Sequence, residues 1–247
     1  AISLFEAALV DRERVLGSDH PDTLASRNNL AGAYESAGSL GKAIPLFEAT
    51  LTDCERVLGP DHPSTLRSRS NLAGAYQSAG RLDKAIRLYV ATLADCERVL
   101  GSDHPDTLAS RHNLAGAYES AGRLGKAISL YVATLAGRER VLGSDHPDTL
   151  ASRNNLAYAY KSAGRLGKAI SLYEATLADR ERVLGSDHPS TLVSRHNLAG
   201  AYRSAGRLAE AIGLAEATLA DCDRVLGPDH PLTVTIRSNL EQARKRL

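Results

Sequence analysis

The triplet Asp-His-Pro recurs at 19–21, 61–63, 103–105, 145–147, 187–189 and 229–231, always 42 residues apart. Asn keeps the same beat at 29, 71, 113, 155, 197 and 239. The phrase AGRLGKAI at 121–128 and 163–170 has near copies at 37–44, 79–86 and 205–212. Self-similarity at a fixed period of about 20–50 residues marks a stacked array, in which no unit can bury its apolar face alone. The repetition also decides how to read the adjacent Asp103 and His104. A catalytic pair occurs once per site, and this one occurs six times. Stacked helices lie about 8–10 Å apart, whereas a zinc ligand reaches to about 2 Å. Successive histidines such as His104 and His146 therefore cannot share an ion. The pair is expected to hold loose backbone groups at a helix start.

Each unit reads as two helices. The first, near 64–79, follows DHP, with Pro63 in a first turn that does not need its N–H. Leu66, Leu72, Ala73 and Tyr76 recur at helical spacing, and Gly80 suits the position just past the end. The second, near 83–100, carries Ala85, Ile86, Leu88, Tyr89, Leu93 and Val99 and stops at Gly101. Pro45 is expected in the first turn of its helix. The fold class is all-α: a superhelix, or solenoid, of helix pairs over 1–247. Residues 1–18 form a half repeat with a second helix only. Full repeats span 22–59, 64–101, 106–143, 148–185 and 190–227, and 232–247 is a C-terminal capping helix.

Charge is balanced, with 30 basic and 29 acidic residues. That argues against a nucleic-acid or anionic-membrane surface, which needs a basic excess on one face. No apolar run approaches the length of about 18 residues that a span requires. Cys54, Cys96 and Cys222 share one repeat position with Arg12, Arg138 and Arg180, so the position is expected to be partly exposed. Three cysteines at multiples of the repeat give no disulfide framework and no zinc motif. A reducing, cytoplasmic location fits. GRLGKAIS at 122–129 lacks the spacing of a phosphate loop and follows a helix rather than a strand. No cofactor, metal or catalytic residue is expected.

The units resemble tetratricopeptide repeats. That family's core pattern, W-x2-L-G-x2-Y then A-x3-F, is matched by Arg27, Leu30, Ala31, Tyr34, Ala43 and Phe47. Leu72, Ala73, Tyr76, Ala85 and Tyr89 repeat it, as do Leu114, Ala115, Tyr118, Ala127 and Tyr131. Arg stands where the family has Trp, at 27, 69, 111, 153, 195 and 237, and each unit is eight residues longer than the usual 34. The 42-residue form with NLA…Y…A…VLGxDHP looks most like the repeats of kinesin light chains and of many bacterial proteins, including sensor arrays of large signalling NTPases. The Arg at 27 and its equivalents is read as glue that finds a carboxylate, either Asp22 or the Glu of the RER segment.

By that resemblance, the stripe 25, 28, 29, 32, 35 and 36 on each first helix lines a concave groove. The groove then carries an asparagine ladder, Asn29, Asn71, Asn113, Asn155 and Asn197. A primary amide offers donors and an acceptor together, so it can pair with the backbone of an extended peptide. The alternative for these asparagines is a structural role tying neighbouring helices. Specificity would come from varying positions: His112 and His196; Tyr158, where the other repeats have Gly; and the series Glu35, Gln77, Glu119, Lys161, Arg203. This series runs from acidic to basic, so an acidic partner segment is expected toward Lys161, His196 and Arg203.

Residue 1 aligns with residue 43, so the chain is expected to begin mid-array, with an apolar first helix free to self-associate. Glu241 and Arg244 replace Ala and Tyr in the last copy, as suits a capping helix near a C-terminus. The function these features imply is a non-catalytic protein-interaction scaffold that binds an extended peptide or protein segment. The alternative is a sensor or assembly module of a larger NTPase-type signalling protein.

Overall fold

The computed structural model describes residues 2–244; residue 1 of the expected half repeat and residues 245–247 of the expected cap lie outside them. Among the described residues the chain is all helix. The first element is α1 (Ile2–Leu16), followed by five pairs. These are α2 (Pro21–Ser36) with α3 (Leu40–Leu58), α4 (Pro63–Ser78) with α5 (Leu82–Leu100), and α6 (Pro105–Ser120) with α7 (Leu124–Leu142). The remaining pairs are α8 (Pro147–Ser162) with α9 (Leu166–Leu184) and α10 (Pro189–Ser204) with α11 (Leu208–Val225). The last helix is α12 (Pro231–Arg244). There are two compact units, Ala1–Leu130 and Tyr131–Leu247.

The DHP histidine is the N-cap of each first helix. His104 has extended backbone (φ −64°, ψ 140°), and its Nδ1 accepts the backbone N–H of Asp106 at 3.2 Å. Proline fills the next position, where no N–H is needed. The same bond recurs at His20, His62, His146, His188 and His230. An imidazole thus does the work usually given to Ser or Asp. Replacing His104 by Ala is expected to cost about 1 kcal/mol, read as a lower urea midpoint, with His104→Asn recovering most of it.

The DHP aspartate has a separate job. Asp19 receives a two-pronged contact from Arg56 of α3, at 2.8 and 2.7 Å. Asp61 with Arg98, Asp145 with Arg182 and Asp187 with Arg224 repeat the geometry. Each of these four inter-repeat loops is therefore fastened to the helix two elements further on. The guanidinium holds the Asp19 carboxyl below its ordinary range.

First helices end in a Schellman motif. Gly80 has φ +71°, its N–H donates to Gln77, and the N–H of Arg81 reaches back to Tyr76 at 2.8 Å. Only glycine adopts that backbone without strain. Pro45 falls at the sixth position of α3, one turn deeper than the sequence suggested. The carbonyl that loses a donor belongs to exposed Gly41, so water can satisfy it.

Small residues allow close packing: Ala31, Ala43, Ala73 and Ala85 are fully buried beside Phe47 and Tyr89. Consecutive helices pack from α1 to α6 and from α8 to α12, and first helices of successive pairs also touch: α2 with α4, α4 with α6, α8 with α10, α10 with α12. First helices therefore line the inner side of each unit. At α1, Leu4, Phe5, Val10 and Val15 remain exposed, while the equivalent of Phe5, Phe47, is buried against α2 and α4. On α12, Ile236, Leu240 and Ala243 are buried, and Arg244 takes the place of tyrosine by contacting Glu216 at 2.6 Å. Tyr34 and Tyr202 make the matching contact with Glu6 and Glu174.

Candidate inner-face binding site

The first helices are held to the second helices by a ladder of largely buried arginines. Arg27 of α2 donates to Glu13 of α1 at 2.8 Å and to Asp53 of α3 at 2.8 Å. Arg69, Arg153 and Arg195 likewise join the helices before and after their own. Of the two partners the sequence offered, the Glu of the RER segment is the one used. Asp53 and its equivalents add a second, and Asp22 takes no part through its carboxylate. A planar five-donor group suits a site where a carboxylate stands on each side. The ladder occupies the place of a bulky aromatic and fixes the register of three helices at once.

The Cys/Arg position corrects a sequence expectation. It is buried in four of the six copies, where Cys54, Cys96, Cys222 and Arg180 are all below a tenth exposed; Arg138 is half-buried and Arg12 exposed. Arginine is accepted there because the fold supplies acceptors. Arg180 Nη1 donates to Ser194 Oγ at 2.7 Å and to the Ser190 carbonyl at 2.8 Å. Arg138 does the same with Ser152 and Asp148, and Arg12 with Ser26 and Asp22. Burial raises the thiol pKa of all three cysteines, which keeps them protonated and unreactive.

Positions 28 and 29, both assigned to the groove stripe, behave differently. Asn28 is buried and accepts from Ser68 Oγ of the neighbouring first helix at 3.3 Å. Asn197 donates to Asn154 Oδ1 at 3.0 Å, and Asn113 to Ser70 Oγ at 3.5 Å. Position 28 of one helix thus meets position 26 or 29 of the next. Asn29 is exposed and Asn71, Asn113, Asn155 and Asn197 are half-buried. Asn113 and Asn197 each place one amide donor on a neighbour and keep the rest of the amide for other partners. His112 is half-buried on α6.

In the second unit, the structure brings Lys161 of α8 together with His196, Asn197 and Arg203 of α10. They line a pocket of about 90 Å3, with Ile236, Asn239 and Leu240 of α12 on its far side. Lys161 Nζ lies 5.1 Å from the centre of the Tyr158 ring. A Cβ at Gly200 would stand 3.7 Å from that ammonium, so glycine leaves room for it. Neither Lys161 nor Arg203 meets a carboxylate among the described residues. Burial lowers the Lys161 pKa, and Arg203 lowers it further. Burial also lowers that of His196, helped by Lys161 and Arg203. The groups facing His196 are therefore both cationic.

The sign of this shift makes a prediction. A histidine depressed in the folded state binds fewer protons than in the unfolded chain. Stability is lost as pH falls from about 6.5, the unperturbed value. His196→Gln should flatten that part of the stability–pH curve. An NMR titration of the His196 ring should give a midpoint below the ordinary histidine value; a midpoint above it would contradict the geometry.

Among the described residues, no group of three or more His, Cys, Asp or Glu side chains could hold a metal, and no helix is long and apolar enough to cross a membrane.

The family model for the tetratricopeptide repeat matches residues 1–52, 33–94, 69–140, 115–182, 154–222 and 196–247. A crystal structure of a Podosopora anserina putative kinesin light chain with nearly identical TPR-like repeats is 37% identical. It aligns over 83% of this chain and 97% of that one, with a TM-score of 0.75. BtubC (BKLC) from P. vanneervenii is 21% identical, with 93% and 92% of the two chains covered and a TM-score of 0.77. The tetratricopeptide-repeat sensor protein PH0952 of Pyrococcus horikoshii, a signal transduction ATPase with numerous domains, is 17% identical. There 97% of this chain matches 36% of that one, with a TM-score of 0.74. No curated protein matches. Tetratricopeptide-repeat proteins are in general protein-interaction scaffolds, and the fold is typically non-catalytic. The chain belongs to the tetratricopeptide-repeat family, and its units are of the kinesin-light-chain-like kind.

Proposed function

We propose that the chain is a non-catalytic scaffold that holds an extended peptide or protein segment along its first helices. An acidic stretch of that segment lies over Lys161, His196 and Arg203. The observation that carries this reading is the pocket itself: two buried or half-buried cations without a carboxylate, in a chain whose other arginines are so widely paired. An unpaired charge taken partly out of water is costly, and an incoming carboxylate recovers that cost. It would also raise the His196 pKa, so binding is expected to tighten as pH falls toward 6. Asn155 and Asn197 stand along the same face, where they can read the backbone of the segment. Tyr158, stacked on Lys161, offers it an apolar anchor. A sensor module of a larger NTPase-type protein would use the same surface on a segment of its own parent, a reading supported by the fold shared with the ATPase sensor.

The test is a peptide-display selection on the parent chain, with Asn113→Ala, Asn155→Ala and Asn197→Ala combined as the control. Acid-rich ligands that bind the parent and lose the control are the expected result. Ligands that bind both equally would move the site off the first helices.

A further inference from the structure

A second pocket, of about 290 Å3, lies in the first unit between α4, α5 and α6. It has room for roughly ten waters at about 30 Å3 each. Asn71 and Asn113 of the inner-face stripe line it, and so do buried Cys96, Thr92 and Ser110. The three repeats that carry Arg instead of Cys explain why it exists. There the arginine fills this position and donates to a serine hydroxyl and a first-turn carbonyl, as Arg138 does to Ser152 Oγ at 2.8 Å and Asp148 O at 3.0 Å. At Cys96 the arginine is gone, but both acceptors remain, as Ser110 and Asp106.

The other two cysteine positions have closed the gap. Ser68, opposite Cys54, donates to Asn28. Opposite Cys222, the serine is replaced by Ile236, which packs on the thiol. Only at Cys96 is the serine left over. Ser110 is 4% exposed, and its Oγ has no hydrogen-bond partner. A buried hydroxyl without a partner is costly and uncommon.

We propose that this pocket is a guanidinium socket: an arginine side chain of the partner segment enters from the inner face and donates to Ser110 Oγ and the Asp106 carbonyl, as Arg138 and Arg180 do within their own repeats. The field of the Asp106 carboxylate favours a cation there; it already raises the Cys96 pKa, after burial itself. Arg67 also lines the pocket and has no carboxylate partner among the described residues. Its equivalents are Ala25, Ala109, Ala151, Val193 and Thr235. A bare cation would be repelled by it, so the segment carries an acidic residue beside its arginine. The inference extends the scaffold reading by naming a residue of the partner, but the pocket can be tested without any partner.

The probe is Nα-acetyl-Arg-Asp-amide, titrated into the parent and followed by amide NMR, with Nα-acetyl-Lys-Asp-amide as the control. The arginine probe should move the Cys96 and Ser110 resonances saturably and bind at least tenfold tighter than the lysine one. Cys96→Arg should fill the socket from within, abolish binding, and raise Tm by about 2–4 °C. Ser110→Ala, which leaves the fold intact, should weaken binding about tenfold. Equal binding of the two probes, unchanged binding to Ser110→Ala, or no binding at all would overturn the socket. Those results would leave the acidic-segment reading standing, because that rests on the Lys161 pocket and on the display selection.

Discussion

Lys161→Glu combined with Arg203→Glu lowers affinity for an acidic segment by about 100-fold, or about 2.8 kcal/mol at 1.4 kcal/mol per decade. Both cations face one pocket and neither is neutralised within the chain, so a ligand carboxylate gains from both at once. Reversal replaces that gain by repulsion between like charges in a partly desolvated site. Lys161→Gln with Arg203→Gln should give an intermediate loss of about tenfold, and the salt dependence of binding should fall with the charge. Calorimetric titration of a selected acidic peptide at two ionic strengths checks both. Neutral variants that bind as tightly as the parent would remove the electrostatic basis of the site.

Arg69→Ala destabilises the first unit by about 2–3 kcal/mol. Its side chain is only 10% exposed and holds Glu55 of α3 at 3.1 Å and Asp95 of α5 at 2.6 Å. Removing it leaves two carboxylates short of a donor and a void between three helices. Lys in its place can satisfy one carboxylate but not both in the same plane, so Arg69→Lys should recover less than half. Arg237 is the informative comparison. It pairs with Asp223 alone, and both side chains are about two-fifths exposed. Arg237→Ala should cost less than about 1 kcal/mol. Arrays lose cooperativity between distant repeats, so amide exchange resolved by helix is the right readout. Equal losses at the two positions would show that the ladder contributes through charge alone and not through its three-helix geometry.

The helices were legible because their punctuation is local. DHP supplies a cap and a first-turn proline, and glycine supplies the left-handed turn, all within a few residues. The partner of Arg27 in the RER segment was legible only as one of two candidates, Asp22 being the other, because both lie within reach along the chain. Its second partner, Asp53, was not: it lies 26 residues on, and nothing within one repeat points to it. The Cys/Arg position misled because arginine usually signals exposure. The missing signal was the serine 14 residues further along, present opposite Arg12, Arg138 and Arg180. Asn28 was placed in the open groove, yet first helices approach closely enough to bury it, a matter of inter-repeat packing that helical periodicity does not contain. The grouping of Lys161, His196 and Arg203 followed from aligning repeats. The stack of Lys161 on Tyr158 was available from their spacing of three residues. The socket at Cys96 was invisible, because a cavity is a difference between repeats in three dimensions.

The central claim is that a partner segment lies on the inner face of the first helices. It is tested most directly by amide NMR shift mapping of a display-selected acidic ligand on the isotopically labelled chain. The largest shifts are expected on α8 and α10, at Lys161, His196, Asn197 and Gly200, with little change along the exposed faces of α9 and α11. Shifts concentrated at Val183, Val225 and their second-helix neighbours would place the ligand on the opposite side and contradict it.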